Sequence, residues 1–277
     1  MISRRLWTWG LVMNLALASA ACDIKVGEGG DVSVDFGGKA SDEWVRTYDL
    51  KPGGQLEIIN TNGQIHAGPA KGTQVEVRAI REARAGSEEA SRELLRKAEM
   101  RESVTPDRVT VEAPETQGRG GGFGGARLSV RYEVQLPPGL NVRLKTQNGE
   151  VRLEDVSGAR IEATTTNGGV NGRGVTGAVD AQTVNGGITM DLAGVTGDSR
   201  MSTVNGGVTL TVAPGVNANL DATVVNGGVQ VRDGLQFSPD EQSRQRVAGR
   251  IGSGGPRLVV TTTNGGIRLG ARGGPGS

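Results

Sequence analysis

Thr165-Thr166-Asn167-Gly168-Gly169-Val170 decides how this sequence is read, because the phrase recurs. Downstream it becomes Thr183-Val184-Asn185-Gly186-Gly187-Ile188 and Thr203-Val204-Asn205-Gly206-Gly207-Val208, then Val224-Val225-Asn226-Gly227-Gly228-Val229 and Thr262-Thr263-Asn264-Gly265-Gly266-Ile267. A leaner copy, Thr146-Gln147-Asn148-Gly149-Glu150-Val151, precedes it, and an outlying one, Asn60-Thr61-Asn62-Gly63-Gln64-Ile65, lies nearer the start. From Asn148 to Asn226 the asparagines are 19, 18, 20 and 21 residues apart, and Asn264 follows after 38, about two periods. A fixed period of this size marks a repeat architecture.

Apolar residues keep fixed offsets from each asparagine. Four residues before it stand Leu144, Ala163, Ala181, Met201, Ala222 and Val260; three after it stand Val151, Val170, Ile188, Val208, Val229 and Ile267. Six before and five after carry further columns, interrupted by Ser199 and Gly172. Alternation with period two is the strand signature. Each repeat therefore reads as two short strands joined at the Asn-Gly corner, with a second corner at Val156-Ser157-Gly158 and its equivalents. Coils of about 19 residues stacked in parallel, roughly 4.8 Å apart, would align these columns into a thin core. The expected fold is all-β, a β-solenoid with one short helix in its N-terminal part. A sandwich would not hold one phrase at one period.

Composition agrees with that reading. The 277 residues include 46 glycines, and only 3% are aromatic, which fits many tight turns around a core too narrow for large side chains. Asn-Gly suits positive φ at a tight corner, and asparagines stacked at one corner can bond amide to amide. Corners are expected at Asn62-Gly63, Asn148-Gly149, Asn167-Gly168, Asn185-Gly186, Asn205-Gly206, Asn226-Gly227 and Asn264-Gly265. Thr165, Thr183, Thr203 and Thr262 form a parallel threonine column, which could order water or glycan but equally suits a strand.

The N-terminus reads as a targeting segment. Arg4 and Arg5 precede an apolar run from Leu6 to Ala18, too short for a comfortable membrane span. Ser19-Ala20-Ala21-Cys22 resembles a lipoprotein cleavage site, which would make Cys22, the only cysteine, a lipidation site. Ordinary cleavage after Ala20, leaving a soluble periplasmic or secreted protein, is the alternative. Residues 1–21 are then signal peptide and 22–42 a glycine-rich tether. A β section over 43–139 holds the helix, near 87–100. Repeats fill 140–272, continuous with that section, and 273–277 form a disordered tail. For the helix, Ser87 is the N-cap and Ala90, Leu94, Leu95 and Ala98 make the apolar stripe; it could cover an end of the solenoid. Residues 233–256 read as a loop or short helix inserted in a coil.

No chemistry stands out. The net charge of +1 leaves no footprint for nucleic acid. Gly118-Arg119-Gly120-Gly121-Gly122-Phe123-Gly124-Gly125 lacks the following helix that a phosphate loop needs. His66 is the only histidine, so neither a catalytic triad nor a multi-histidine metal site has support, and no cofactor or catalytic residue is assigned. Glu150, Glu154, Asp155 and Asp191 leave a glycosidase pair open until distances are known.

The chain resembles a bacterial family of exported proteins known as putative adhesins, otherwise a domain of unknown function. The resemblance rests on Gly63, the Glu88–Glu99 helix after Gln74–Arg78, Tyr132-Glu133-Val134-Gln135-Leu136-Pro137 and the Thr-x-Asn-Gly corners, and covers about residues 44–270. It implies a β-solenoid at the cell envelope. The expected function is a non-enzymatic adhesin or interaction module, held to the membrane through Cys22 and meeting an envelope protein or glycan. A carbohydrate-active or glycan-binding solenoid, or an accessory protein of envelope-stress signalling, are the alternatives.

Overall fold

The computed structural model describes residues 24–26, 32–34, 38–114, 125–232 and 234–273. The signal segment, Cys22, most of the glycine-rich loop near 118–125 and the tail after Gly273 lie outside them. The repeats form a two-sided solenoid whose coils pair in parallel on both sides, with the alternating Val, Leu, Ile and Ala residues sealed between the sides. Leu144, Ala163, Ala181, Met201, Ala222 and Val260, one column, are all fully buried. The two irregular column positions have local reasons. A side chain on Gly172 would overlap Met190, whose sulfur stands 2.2 Å from the position of a Cβ there. Ser199 uses its buried hydroxyl to accept from the Val179 amide at 3.0 Å and donate to the Gly197 carbonyl at 3.0 Å.

The coils do not stack in sequence order. The Asn264 coil (Arg257–Asn264, Ile267–Ala271) lies between the Asn205 coil (Ser199–Asn205, Val208–Val212) and the Asn226 coil (Ala218–Asn226, Val229–Val231), paired in parallel with both. The chain passes outward, turns round and slots its last coil back inside. The N-terminal end repeats the manoeuvre. Gln55–Asn62 and Ile65–Pro69 lie between the Asn148 coil and an outermost coil made of Arg108–Glu112 and Arg127–Leu136. The outlying Asn62 copy is thus a full member of the stack.

Antiparallel strands close the ends. Val75–Ala85 pairs with Arg127–Leu136, Gly38–Tyr48 pairs with Val75–Ala85, and Arg101–Val104 pairs with Arg108–Glu112. At the other end Arg246–Ile251 pairs with Ala218–Asn226, and Phe237–Gln242 pairs with Arg246–Ile251. Two expectations are corrected here. Residues 233–256 carry a β-hairpin rather than a loop or helix, because the terminal coil's edge offers ladder bonds that a loop would leave unmade. The first long strand begins at Gly38, so the end of the segment read as a tether is strand: it pairs with Val75–Ala85 along its length, from Gly38↔Ala85 to Tyr48↔Val75. Short strands Ile24–Val26 and Val32–Val34 also pair, antiparallel, before it.

The helix spans Glu88–Lys97, with Ser87 Oγ accepting from the Ala90 amide at 3.2 Å. It packs on the Gly38–Tyr48 and Val75–Ala85 strands. Its buried stripe runs through Ser91, Leu95 and Ala98, and Ala90 faces solvent. Ser91 replaces an apolar residue because its hydroxyl donates to the Gly38 carbonyl at 2.7 Å. The Arg81 guanidinium ties the helix end to the strand, bonding Asp42 and the Ala98 carbonyl.

The first glycine of each corner is required by stacking, and at Gly63, Gly168, Gly227 and Gly265 by positive φ as well. A Cβ on Gly149, Gly168, Gly186, Gly206 or Gly265 would stand 2.0–2.1 Å from the corner carbonyl of the coil beneath, and one on Gly227 1.8 Å from Gly265 O. Gly149, Gly186 and Gly206 do not lie at positive φ, so the conformational reason read from the sequence holds at the other four corners and not at these three. The second glycine has more room: a Cβ on Gly187 would meet Gly207 O at 3.3 Å, and Glu150 and Gln64 occupy this position in other coils. Gly186→Ala is therefore expected to cost about 3 kcal/mol or more, as overpacking against unyielding backbone does, and Gly187→Ala about 1 kcal/mol. Denaturant unfolding of the two variants measures the difference, and equal losses would contradict the stacking argument.

Candidate functional site

The Asn-Gly corner recurs in seven successive coils of the stack. Asn148 Nδ2 donates to Asn62 Oδ1 at 2.9 Å, Asn167 to Asn148 at 2.8 Å, Asn185 to Asn167 at 2.9 Å and Asn205 to Asn185 at 3.0 Å. Asn264 then donates to Asn205 at 2.9 Å, and Asn226 to Asn264 at 2.9 Å. Backbone amides run the other way: Gly149, Gly168, Gly186 and Gly206 each donate to the asparagine carbonyl of the next coil at 2.9–3.0 Å, and Gly63 does so at 2.8 Å. Seven asparagines form one exposed amide ladder, each link net worth about 1 kcal/mol or less in contact with water.

The threonine column is not exposed. Thr146, Thr165, Thr183, Thr203 and Thr262 are all buried, and each hydroxyl donates to the corner glycine carbonyl of the neighbouring coil at 2.8–3.0 Å. Their hydroxyls are spent within the fold, so this column offers nothing to water or glycan. Parity contains the same answer, since two residues before the asparagine shares a side with the apolar columns four and six before it. Asn60 occupies the matching place in its coil and donates to Val130 O at 2.7 Å.

The exposed column is the neighbouring one. Val184 and Val204 are each 42% exposed and Val225 57%, three of the five large exposed hydrophobic residues among those described. Thr166 and the half-buried Thr263 continue the line. The resulting ribbon of β-branched side chains borders the amide ladder at the spacing of the coils, about 4.8 Å. The sequence signal for it was the residue between threonine and asparagine, where an exposed strand position carries Val three times.

Carboxylates are distributed, and Glu150, Glu162 and Asp191 are paired with arginines. Glu162 accepts from Arg143 at 2.7 Å and Arg160 at 2.9 Å. Glu150 accepts from Asn171 and Arg152, both at 2.9 Å. Asp191 meets Arg272 at 2.6 Å, and Glu154 lies 3.4 Å from the half-exposed His66. Asp155 sits at positive φ with its Oδ1 against Gly174. Arg143 and Arg160 hold the Glu162 carboxyl below the usual carboxylate range against a smaller effect of burial. For Glu150 burial alone would raise the pKa, and the Asn171 and Arg152 hydrogen bonds together bring it below the usual value. A glycosidase acid needs the opposite shift. No group of three His, Cys, Asp or Glu placed to hold a metal occurs among the described residues. Two open cavities of about 530 and 550 Å³ both lie at the last corner, around Asn226, Gly227 and Arg244. No helix among the described residues is long and apolar enough to cross a membrane.

These features define a two-sided β-solenoid whose regular element is a corner column rather than a catalytic cleft. The chain belongs to the Toastrack DUF4097 family, which matches residues 22–270. Among solved structures, a putative cell adhesion protein from Clostridium sporogenes shares the fold, with a TM-score of 0.50 at 12% identity, covering 83% of this chain and 100% of that one. A putative adhesin from Bacteroides fragilis has a TM-score of 0.33 at 9% identity, with 83% and 97% covered. A putative lipid binding protein from Parabacteroides distasonis has a TM-score of 0.32 at 9% identity, with the same coverage. No curated protein matches the sequence.

The Arg143–Glu162–Arg160 cluster gives a pH prediction. Because the folded pKa of Glu162 is lowered, its contribution to stability is present above the unfolded value, about 4.3, and is lost as pH falls through the folded one. Unfolding free energy measured between pH 7 and pH 3 is expected to fall below about pH 4.3, and more shallowly in Glu162→Gln. An unchanged slope in that variant would contradict the assignment.

Proposed function

We propose that the protein is an exported, non-enzymatic adhesin or interaction module of the bacterial cell envelope, anchored through a lipid on Cys22. The observation that carries the reading is the ribbon of Val184, Val204 and Val225 beside the exposed Asn ladder. It is apolar, uncharged, and fixed on paired backbone. Such a surface favours contact by area and shape, since aliphatic side chains exposed along one line are available to a partner without reorganisation. Family membership, the N-terminal targeting pattern and the arginine pairing of Glu150, Glu162 and Asp191 support it. An enzymatic solenoid would need a cleft with an unneutralised acid, and Glu150 and Glu162 carry the reverse electrostatics.

Two experiments test the reading. Cys22→Ser is expected to move the protein from the membrane fraction to the soluble fraction, and unchanged retention would overturn the anchor. Val184→Lys combined with Val204→Lys is expected to abolish retention of envelope components on the immobilised protein while leaving its unfolding temperature nearly unchanged, because both side chains face solvent. Undiminished retention by a folded double variant would overturn the ribbon as the contact surface.

A further inference from the structure

The seven corner asparagines are each followed by glycine, and Asn171-Gly172 adds an eighth Asn-Gly step. This dipeptide carries a latent reaction. The glycine amide nitrogen, once deprotonated by hydroxide, can attack the asparagine Cγ; a C–N bond forms, the Cγ–Nδ2 bond breaks and ammonia leaves. Water then opens the resulting five-membered imide at either carbonyl, giving aspartate or isoaspartate. The net change is asparagine plus water to acid plus ammonia. The reaction needs a free glycine N–H and a side-chain amide able to turn toward it.

The stack removes the first requirement at every corner but one. Gly63, Gly149, Gly168, Gly186, Gly206 and Gly265 each donate their N–H to the asparagine carbonyl of the adjoining coil at 2.8–3.0 Å. Asn171-Gly172 lies inside the Val170–Asn185 strand, paired on both sides. The Asn226 coil is outermost, so no further asparagine carbonyl stands above Gly227, and among the described residues its N–H has no hydrogen-bond acceptor. The Asn226 amide is also the freest of the ladder at its oxygen: Nδ2 donates to Asn264, but no neighbouring asparagine donates to Oδ1. The hairpin that caps this end passes to either side of the corner. The Gln245 carbonyl accepts from Val224 N, the Arg244 carbonyl accepts from Val229 N, and Gln245 Nε2 donates to Val225 O. Between these contacts open the two cavities, both lined by Asn226 and Gly227 and both large enough for water.

We propose that Asn226-Gly227 is a modification site, the one Asn-Gly corner of the folded protein that converts spontaneously to aspartate or isoaspartate. The other corners are protected by their stacking. The product carboxylate lies in the cavity that Arg244 and Arg268 line, so a neutral corner facing two arginines becomes an anionic one. The isoaspartyl form also adds a backbone carbon just before Val229–Val231, the last strand of its side.

Incubating the full folded chain at mildly alkaline pH, followed by peptide mapping with isoaspartate detection by mass spectrometry, tests this. Asn226 is expected to convert faster than any other Asn-Gly step by about tenfold or more, since a hydrogen bond that must first be broken is worth about that factor. In denaturant all eight steps should convert at comparable rates. Asn62 is the sharpest control: it too ends the ladder, but Gly63 N–H is engaged by Asn148 O at 2.8 Å. Conversion of folded Asn62 as fast as Asn226, or conversion spread evenly over the corners, would overturn the proposal. So would an Asn226 that stays intact in the folded chain while reacting in denaturant.

Discussion

The backbone contact at the Asn-Gly corner constrains everything else in this structure. Each coil lays a glycine against the corner carbonyl of the coil beneath, so closely that a methyl group would occupy the same space. That contact fixes the spacing, brings asparagine amides within bonding distance and sets the parity of the residues on either side. Once parity is fixed, the positions two, four and six before the asparagine must be internal. Threonine two before it is accommodated because its hydroxyl reaches the neighbouring glycine carbonyl. The position one before it is turned out, and there the stack presents valine to solvent.

A parallel stack has a problem that a single coil does not: its two ends expose unpaired edges to which other strands could add. Here both ends are closed in the same way. At each end the outermost coil carries antiparallel strands, and the coil next inside it lies on the far side of those strands in sequence. The terminal coils are therefore held on two sides by segments distant in sequence. At the C-terminal end the hairpin pairs along Ala218–Asn226 but meets the Val229–Val231 strand only at the Val229 amide, leaving Val229 and Val231 half-buried and the Asn226 corner open. The cavities and the free Gly227 amide follow from that single asymmetry.

Much of the architecture was legible in the sequence because the stack is periodic: columns at fixed offsets from an asparagine cannot be produced by a sandwich. The helix was legible through Ser87 and its apolar stripe, though Ala90 of that stripe faces solvent and Ser91 is turned inward, where it bonds a carbonyl that no helical pattern reveals. Order along the axis was not legible. The 38-residue gap before Asn264 reads as about two periods with a loop or short helix inserted, whereas it is a hairpin excursion whose partners are chosen by edge bonding over long range. The exposed column stands in the sequence as Val184, Val204 and Val225, and only strand parity, which turns the threonine column inward, shows that it faces solvent. Glu150 and Glu162 each meet an arginine two residues away, Arg152 and Arg160, but the Asn171 amide and the Arg143 guanidinium that complete these clusters come from a coil apart, and only the register makes them adjacent.

The central claim is that corner contacts select neighbours in space rather than in sequence, so that Asn205 meets Asn264 and not Asn226. A pair of double-mutant cycles measures this directly. Asn205→Ala with Asn264→Ala is predicted to show a coupling energy of about 0.5–1 kcal/mol in denaturant unfolding, and Asn205→Ala with Asn226→Ala to be additive. Coupling between Asn205 and Asn226, with none between Asn205 and Asn264, would contradict the account.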